Sequence, residues 1–519
     1  MFDFSGGIFY FHNLKFDGAF LISYLLDNGF TISESHKSMT ISTLITDRLI
    51  WYTFKVYYCG RVYTFRDSMK KIIGSLEKAA KDFDLPIRKG SINYTASRPA
   101  GYIPTPEEID YIHIDTEIMG DILTYYYDNG MIKMTNASDA MNEYKNLISP
   151  AQYKTYFPVL IKPFDDFIRK SYKGGFCFVN PKYTNVDLHE VYCYDVKSMY
   201  PSVMRYALLP YGMPIHYFGM YEEDSLYPLF IQKIRVVADL KEGHIPSIQT
   251  KSFMSIKLNY LRSTNGRWLD LYLTCVDLER FFEDYDITDI EFCEGFKFQA
   301  THDLFSTYID KYFALKEQSK GAKKQLYKIF LNSLYGKFAM STEKAKAYPE
   351  LQDNVIKFKK SVPEETDAIY TAVASFITSW ARKKLLDGIY ANLDDFVYCD
   401  TDSMHLLKPV KGVTEGNKLG QWAIEHGKKE NGITTTSINY ARYLGQKCYL
   451  LSEEDSKGNR LIKKVAGAPE KVKEQINFDN FHYNFMSDAS AYPKYRMKQV
   501  KGGVVLIPTS FTIKEKKVL

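Results

Sequence analysis

Three observations predict a multidomain α/β fold. Apolar strand-like runs such as GIFYFHN and LIWYTFKVYY alternate with stretches of helical period. The 519 residues exceed a single simple core and suggest about three or four domains. Apolar residues at 45% and charged residues at 25% can both build cores and cover them, which excludes a wholly disordered chain.

From 1 to about 135 the strand runs alternate with two predicted helices, SMKKIIGSLEKAAKDF and TPEEIDYIHIDTEIMGDILTYYYD. The second opens on a Thr-Pro-Glu-Glu start signal. A Gly-Gly turn in SYKGGF then leads into a predicted strand, EVYCYDVKSMYPSVM. Residues 207 to 303 read as short strands and turns, and 304 to 339 as two helices joined near Lys320-Gly321. After a polar, Pro-containing interval at about 340 to 371 come a helix, TAVASFITSWARKKLLDGIYANL, and a strand-turn-strand, DDFVYCDTDSMHLL. The last seventy or so residues are Lys-rich and contain GGVVLIPTSFTIK. No internal repeat or low-complexity tract interrupts this order.

The net charge of +5 neither requires nor excludes a polyanionic partner. Seven scattered cysteines without a C-x-x-C pair fit a reduced, intracellular protein. No apolar run approaches the ~18 residues of a membrane span and no signal peptide opens the chain, so a soluble cytoplasmic protein is expected. The 42 tyrosines and 34 phenylalanines could supply base-stacking surfaces, although compositional bias accounts for more of them.

Three motifs carry chemistry. Asp195 sits among apolar neighbours in YDVKSMYP, where an isolated Asp is most often a strand-end residue. Asp400 and Asp402 stand two apart in YCDTDS, at the bend of the predicted hairpin, where strand alternation sends both side chains the same way and Thr401 the other. Like charges so close repel unless a cation lies between them; an ordinary turn is the competing reading. If Asp195 joins them, three carboxylates suit two Mg²⁺ ions, which take a few hard oxygens plus substrate phosphates. In KKQLYKIFLNSLYGKF, Lys324, Lys328, Asn332 and Tyr335 share one helix face while Leu326, Ile329, Phe330 and Leu334 lie off it. A solvated lysine face is the usual fate of such a stripe. Here it ends beside an aromatic ring and a glycine, so a triphosphate can lie along it with a base on the ring.

In that order, DVKSMYP, KIFLNSLYGK and YCDTDS resemble motifs A, B and C of family B DNA polymerases, and the protein-primed branch of small Bacillus-type podophages in particular. YFHNLKFDGAF, RPAGY, LLPYG, GAKKQL, ITSWAR and QKCYL extend the resemblance over nearly the whole chain. It implies a right-hand polymerase: a palm at 136–206 and 372–465, fingers at 304–339 and a thumb at 466–519. It also implies two terminal-protein insertions, at 207–303 and 340–371, and a ribonuclease H-like 3′→5′ exonuclease domain at 1–135. Asp195, Asp402 and the Val196 carbonyl are then metal ligands, with Asp400 in support. Tyr200 and Tyr335 frame the nucleotide, and Tyr200 is a steric gate against the ribose 2′-hydroxyl. Lys316, Lys324 and Lys328 face the triphosphate, Lys447 and Tyr449 form the K-x-Y motif at the primer terminus, and Tyr172, Gly174 and Gly175 form the template-contacting turn.

The implied activity is DNA-directed, protein-primed, strand-displacing synthesis on a linear viral genome in the cytoplasm of an infected bacterium. The cofactor is Mg²⁺, with Mn²⁺ as substitute; the partners of this monomer are template and primer DNA, dNTPs and a priming terminal protein. The rivals are a retired fold acting as a DNA-binding or priming scaffold, and an RNA-making enzyme.

The start of the chain departs from the family. Asp17 and Asp115, with Tyr111 four residues earlier, match two of the exonuclease carboxylate positions, and His12, Asn13, Phe16, Phe20, Ser68, Lys89 and Tyr94 match strand-contacting or catalytic neighbours. The Asp-x-Glu of the first strand has no counterpart, since DFS at Asp3 places Ser5 where Glu is needed. A shortened exonuclease domain with an incomplete site is therefore expected.

Overall fold

The structure, a computed structural model, describes residues 5–86, 98, 101–251, 258–455 and 458–515. Lys89 and Tyr94 lie outside them, as does Asp3.

The first unit is a five-stranded sheet ordered Gly7–Phe11, Arg61–Asp67, Trp51–Tyr58, Thr40–Ile45, Thr31–Ile32. Helix Leu14–Asp27 packs on it through Leu14, Ile22 and Leu25. Gly18 on that helix lies so close to Trp51 that a Cβ would meet the indole at 2.7 Å. The long helix Pro106–Asp128 begins at the expected signal: Thr105 and Glu108 exchange capping-box bonds and Pro106 needs no N–H partner. The other predicted helix is a correction. Only Leu76–Asp82 is α-helical, because Gly74 turns the chain at φ 91° and Ser75 starts a new N-cap after the short turn Ser68–Lys70.

A second five-stranded sheet lies at the centre, in the order Trp422–Ile424, Tyr192–Val196, Ser403–Leu406, Phe396–Asp400, Cys177–Val179, with every neighbouring pair antiparallel. One face, with Tyr194, Val196, Cys399, Met404 and Trp422, packs on the helical core around Thr371–Tyr390. The opposite face, with Cys177, Cys193 and Tyr398, packs on the sheet of Ile438–Gly445, Cys448–Asp455 and Gly458–Val465. EVYCYDVKSMYPSVM is not one strand. The strand stops at Val196, Ser198 takes a left-handed φ of 53°, and helix Met199–Tyr206 follows.

The interval 207–303 holds the expected short strands, Gln249–Lys251, Leu258–Tyr260 and Leu269–Thr274, but also long ones, Leu209–Phe218, Leu229–Leu240 and Tyr285–Thr301, and an unforeseen helix, Cys275–Asp284. The two helices expected at 304–339 are Ser306–Gln318 and Gly321–Ser333. Within 340–371 a hairpin, Ala347–Gln352 with Val355–Lys360, docks on the first unit, where Phe358 meets Trp51 edge-on at 6.0 Å and Ala347 and Ile356 join its core. The last hairpin, Lys494–Val500 with Gly503–Thr509, touches the same unit, since a side chain at Gly503 would strike the Phe20 ring. Among the described residues no helix is long and apolar enough to cross a membrane.

Candidate active site

The central sheet brings the motif A and motif C carboxylates together. Ser403 pairs with Asp195 across adjacent strands, and Val196 N–H donates to the Asp402 carbonyl at 2.8 Å. Strand alternation does not place Asp402, because the strand ends at Asp400 and Thr401 turns left-handed at φ 62°. Asp402 N–H closes that turn onto the Asp400 carbonyl at 2.7 Å.

The resulting crowding shows in the proton affinities. Burial, then the Asp402 charge, pushes Asp195 up to about 7; burial, then Asp400, pushes Asp402 up to about 6. Glu425 adds to both. It stands two residues beyond Ala423, the partner of Asp195 on the edge strand, and lines the same cleft of about 820 Å³. The sequence reading missed Glu425; the alternation in WAIE was its signal. Such desolvated, mutually repelling carboxylates fit a cation-binding role. Among the described residues no three metal-ligating side chains converge, so the expected meeting of three carboxylates at one point is not formed in this structure.

The other residues singled out in the sequence are distributed over several elements. Tyr200, on helix Met199–Tyr206, stacks on Tyr335 with ring centroids 4.3 Å apart. Tyr335 lies just past helix Gly321–Ser333, in the short turn Tyr335–Lys337. Lys324, Lys328 and Asn332 form the exposed face of that helix, and Lys328 is near enough to Asp195 to favour its charged form. Lys316 Nζ reaches Ser198 Oγ at 3.4 Å.

Lys447, at φ 55° in the turn before Cys448–Asp455, places its Nζ 3.3 Å from Asp400 Oδ1, while its N–H donates to the Tyr398 hydroxyl. Tyr449 packs against Tyr398, His405 and Tyr443. Burial holds His405 neutral, pushed down to about 3.

The Tyr172-Lys173-Gly174-Gly175 turn is pinned from behind. Arg382 donates to the Lys173 and Gly174 carbonyls at 3.0 and 2.9 Å and is itself gripped by Asp277. Gln249 donates to the Gly175 carbonyl. Gly175 has to be glycine, since a Cβ would sit 2.6 Å from Thr401 Oγ1. Arg382 is a second residue the sequence reading did not single out.

In the first unit, Asp17 lies on helix Leu14–Asp27, where burial raises its pKa, and Asp115 and Tyr111 lie on helix Pro106–Asp128. Asn13 is left-handed at φ 73°, with its N–H on Asp67 Oδ1. His12 bonds the buried Ser68 hydroxyl and the Gly74 carbonyl. Phe16 and Phe20 meet edge-on at 5.4 Å.

A family model described as DNA polymerase type B, organellar and viral, matches residues 1–106 and 98–410. The DNA polymerases of Bacillus phages Nf and phi29 are each 39% identical to the chain, across 97% of it and 90% of their own length. That of Streptococcus phage Cp-1 is 35% identical, across 98% and 88%. Among solved structures, phi29 DNA polymerase in an orthorhombic crystal form superposes with a TM-score of 0.91 at 38% identity, over 98% of this chain and 91% of that one. The same enzyme complexed with primer-template DNA and incoming nucleotide gives 0.89.

Proposed function

The chain belongs to the organellar and viral type B DNA polymerases, in the protein-primed phi29-like branch, and is a DNA-directed DNA polymerase; from that premise we propose that it copies a linear viral genome from a priming protein, through the carboxylates Asp195 and Asp402. The observation that carries this reading is the approach of Asp402, in the turn tied to Val196 N–H, to Asp195 on the neighbouring strand, with Glu425 and Asp400 crowding them further.

In this reading Asp195, Asp402 and the Val196 carbonyl hold two Mg²⁺ ions, for which Mn²⁺ can substitute, with Asp400 in support. Bound divalent ions supply stabilisation of the attacking and leaving oxygens in phosphoryl transfer. Tyr200 and Tyr335 seat the nucleotide, and Lys316, Lys324 and Lys328 neutralise its triphosphate. Lys447 and Tyr449 steady the primer terminus, and the pinned Tyr172–Gly175 turn meets the template. The ternary phi29 complex supports primer-template DNA and nucleotides as partners.

The domain map follows: palm at 136–206 and 372–465, fingers at 304–339, thumb at 466–519, insertions at 207–303 and 340–371, and an exonuclease-like unit at 1–135. The docking of hairpin 347–360 and of the Gly503 turn on the first unit supports a closed path around DNA. Of the exonuclease carboxylate positions, Asp17 and Asp115 lie on helices Leu14–Asp27 and Pro106–Asp128 of the first unit. A scaffold without catalysis is disfavoured by the intact carboxylates.

Primer extension with the cognate priming protein, dNTPs or rNTPs, and Mg²⁺ tests the reading. Incorporation of dNTPs onto the priming protein is expected. Binding without incorporation would favour the scaffold, and rNTP incorporation an RNA-making enzyme.

A further inference from the structure

The backbone from Lys173 to Cys177 runs beside the turn that carries Asp400 and Asp402, and every carbonyl in it has a partner. Arg382 takes those of Lys173 and Gly174, Gln249 that of Gly175 at 3.1 Å, the Thr401 N–H that of Phe176 at 2.7 Å, and the Tyr260 hydroxyl that of Cys177 at 2.7 Å. Backbone groups alternate between the two edges of an extended chain, so Phe176 faces the turn while Gly175 and Cys177 face away from it. The two that face away are met by one hairpin of the 207–303 interval, Gln249–Lys251 with Leu258–Tyr260, in which Gln249 stands directly opposite Tyr260.

Cys177–Val179 is the last strand of the central sheet, and at Cys177 one side chain stands in for a further strand. The Tyr260 hydroxyl donates to the Cys177 carbonyl and accepts the Cys177 N–H at 3.2 Å, while its ring meets Phe176 edge-on at 5.0 Å. Gln249 is buried, and neither residue is among those that line the carboxylate cleft. Their effect has to pass through Thr401. That residue is left-handed at φ 62°, a conformation that a residue with a Cβ holds only when its surroundings impose it. The imposing contacts are the Phe176 carbonyl and Gly175, which has no room for a Cβ against the Thr401 side chain.

We infer that Tyr260 and Gln249 are positioning residues for nucleotide addition: by fixing the outer edge of Gly175–Cys177 they hold the Thr401 turn, and with it the spacing of Asp400 and Asp402. This rests on the polymerase reading above. Asp402 is the carboxylate most subject to the effect, because its N–H closes the turn on the Asp400 carbonyl and its own carbonyl accepts the Val196 N–H. The 207–303 interval thereby reaches motif C without lending a side chain to the cleft.

The test uses the full-length protein as Tyr260→Phe, which keeps the ring, and Gln249→Met, which keeps the length. Tyr217→Phe is the control, since its hydroxyl lies in the same interval but bonds Gln232 instead of the segment beside the turn. In metal-free protein, hydrogen exchange of the peptide spanning Thr401 and Asp402 should quicken about tenfold in Tyr260→Phe, less in Gln249→Met and not in the control. In extension of an ordinary DNA primer, the half-saturating Mg²⁺ concentration should rise several-fold and kcat should fall, because Mg²⁺ demands near-ideal ligand geometry. KM for dNTP and affinity for primer-template DNA should stay at wild-type values. Both changes are required, so wild-type exchange or wild-type Mg²⁺ dependence in the two variants overturns the inference. The same changes in Tyr217→Phe overturn it too, by tracing them to a general loosening of the interval, and a lowered melting temperature alone would assign both residues to folding. If the polymerase reading itself is wrong, the wild type extends no primer, while the exchange comparison still decides whether the hairpin holds the turn.

Discussion

The ring of Tyr200 lies on that of Tyr335, centroids 4.3 Å apart and planes inclined by 28°. One comes from the helix after motif A and the other from the turn after the lysine-faced helix. Tyr335 is also near enough to Asp402 for that charge to add to the burial that raises its pKa. Tyr200→Val should therefore lower discrimination against ribonucleotides by about one to two orders of magnitude, read as the ratio of kcat/KM for dNTP and rNTP. Unchanged discrimination would place the gate on another residue.

Replacing Asp195 or Asp402 by Ala should reduce nucleotide addition at least about 10²-fold, because the stabilisation of charge at the reacting phosphate is lost. Binding of primer-template DNA should change little. Single-turnover extension beside a gel-shift titration checks both halves, and several per cent of wild-type activity in either variant would contradict the assignment.

The same carboxylates set a pH dependence of stability. Folded-state values of about 7 and about 6 lie above the unfolded value near 3.8, so the folded protein holds the extra protons. In metal-free protein this contribution erodes stability as pH rises from about 4 to 7. Asp195→Asn should then raise the melting temperature in EDTA by a few degrees at pH 8 and by less at pH 5. Equal shifts at both values would disprove the electrostatic cause.

Lys71 and Asp139 form an ion pair that is almost wholly buried, and Lys71 Nζ also donates to the Met131 carbonyl. Burial lowers the pKa of Lys71 and raises that of Asp139, so desolvation outweighs mutual attraction. Lys71→Met alone should destabilise by about 3–5 kcal/mol, whereas Lys71→Met/Asp139→Leu should recover most of the loss. Chemical denaturation of the three proteins decides it.

Local chemistry was enough to read much of this molecule from its sequence. The Thr105 capping box, the helix pair parted at Gly321 and the hairpin around Asp400 each depend on residues only a few positions apart. The three motifs were legible for the same reason, because a carboxylate pair or a lysine stripe is written within one element.

What the sequence left open depends on partners far along the chain. Glu425 comes to line the carboxylate cleft only because the strand just before it joins the sheet beside Asp195, 230 positions away. Arg382 holds the Lys173 and Gly174 carbonyls because helix packing carries a buried guanidinium there. The end of the motif A strand at Ser198 and the turn at Thr401 are left-handed at residues other than glycine, a backbone cost that surrounding packing must offset and that no local signal announces. The sequence by itself thus offered the motif carboxylates, tyrosines and lysines as candidates; the tertiary structure decided their placement and proton affinities and added Glu425 and Arg382, because burial and long-range proximity exist only once the strands are paired.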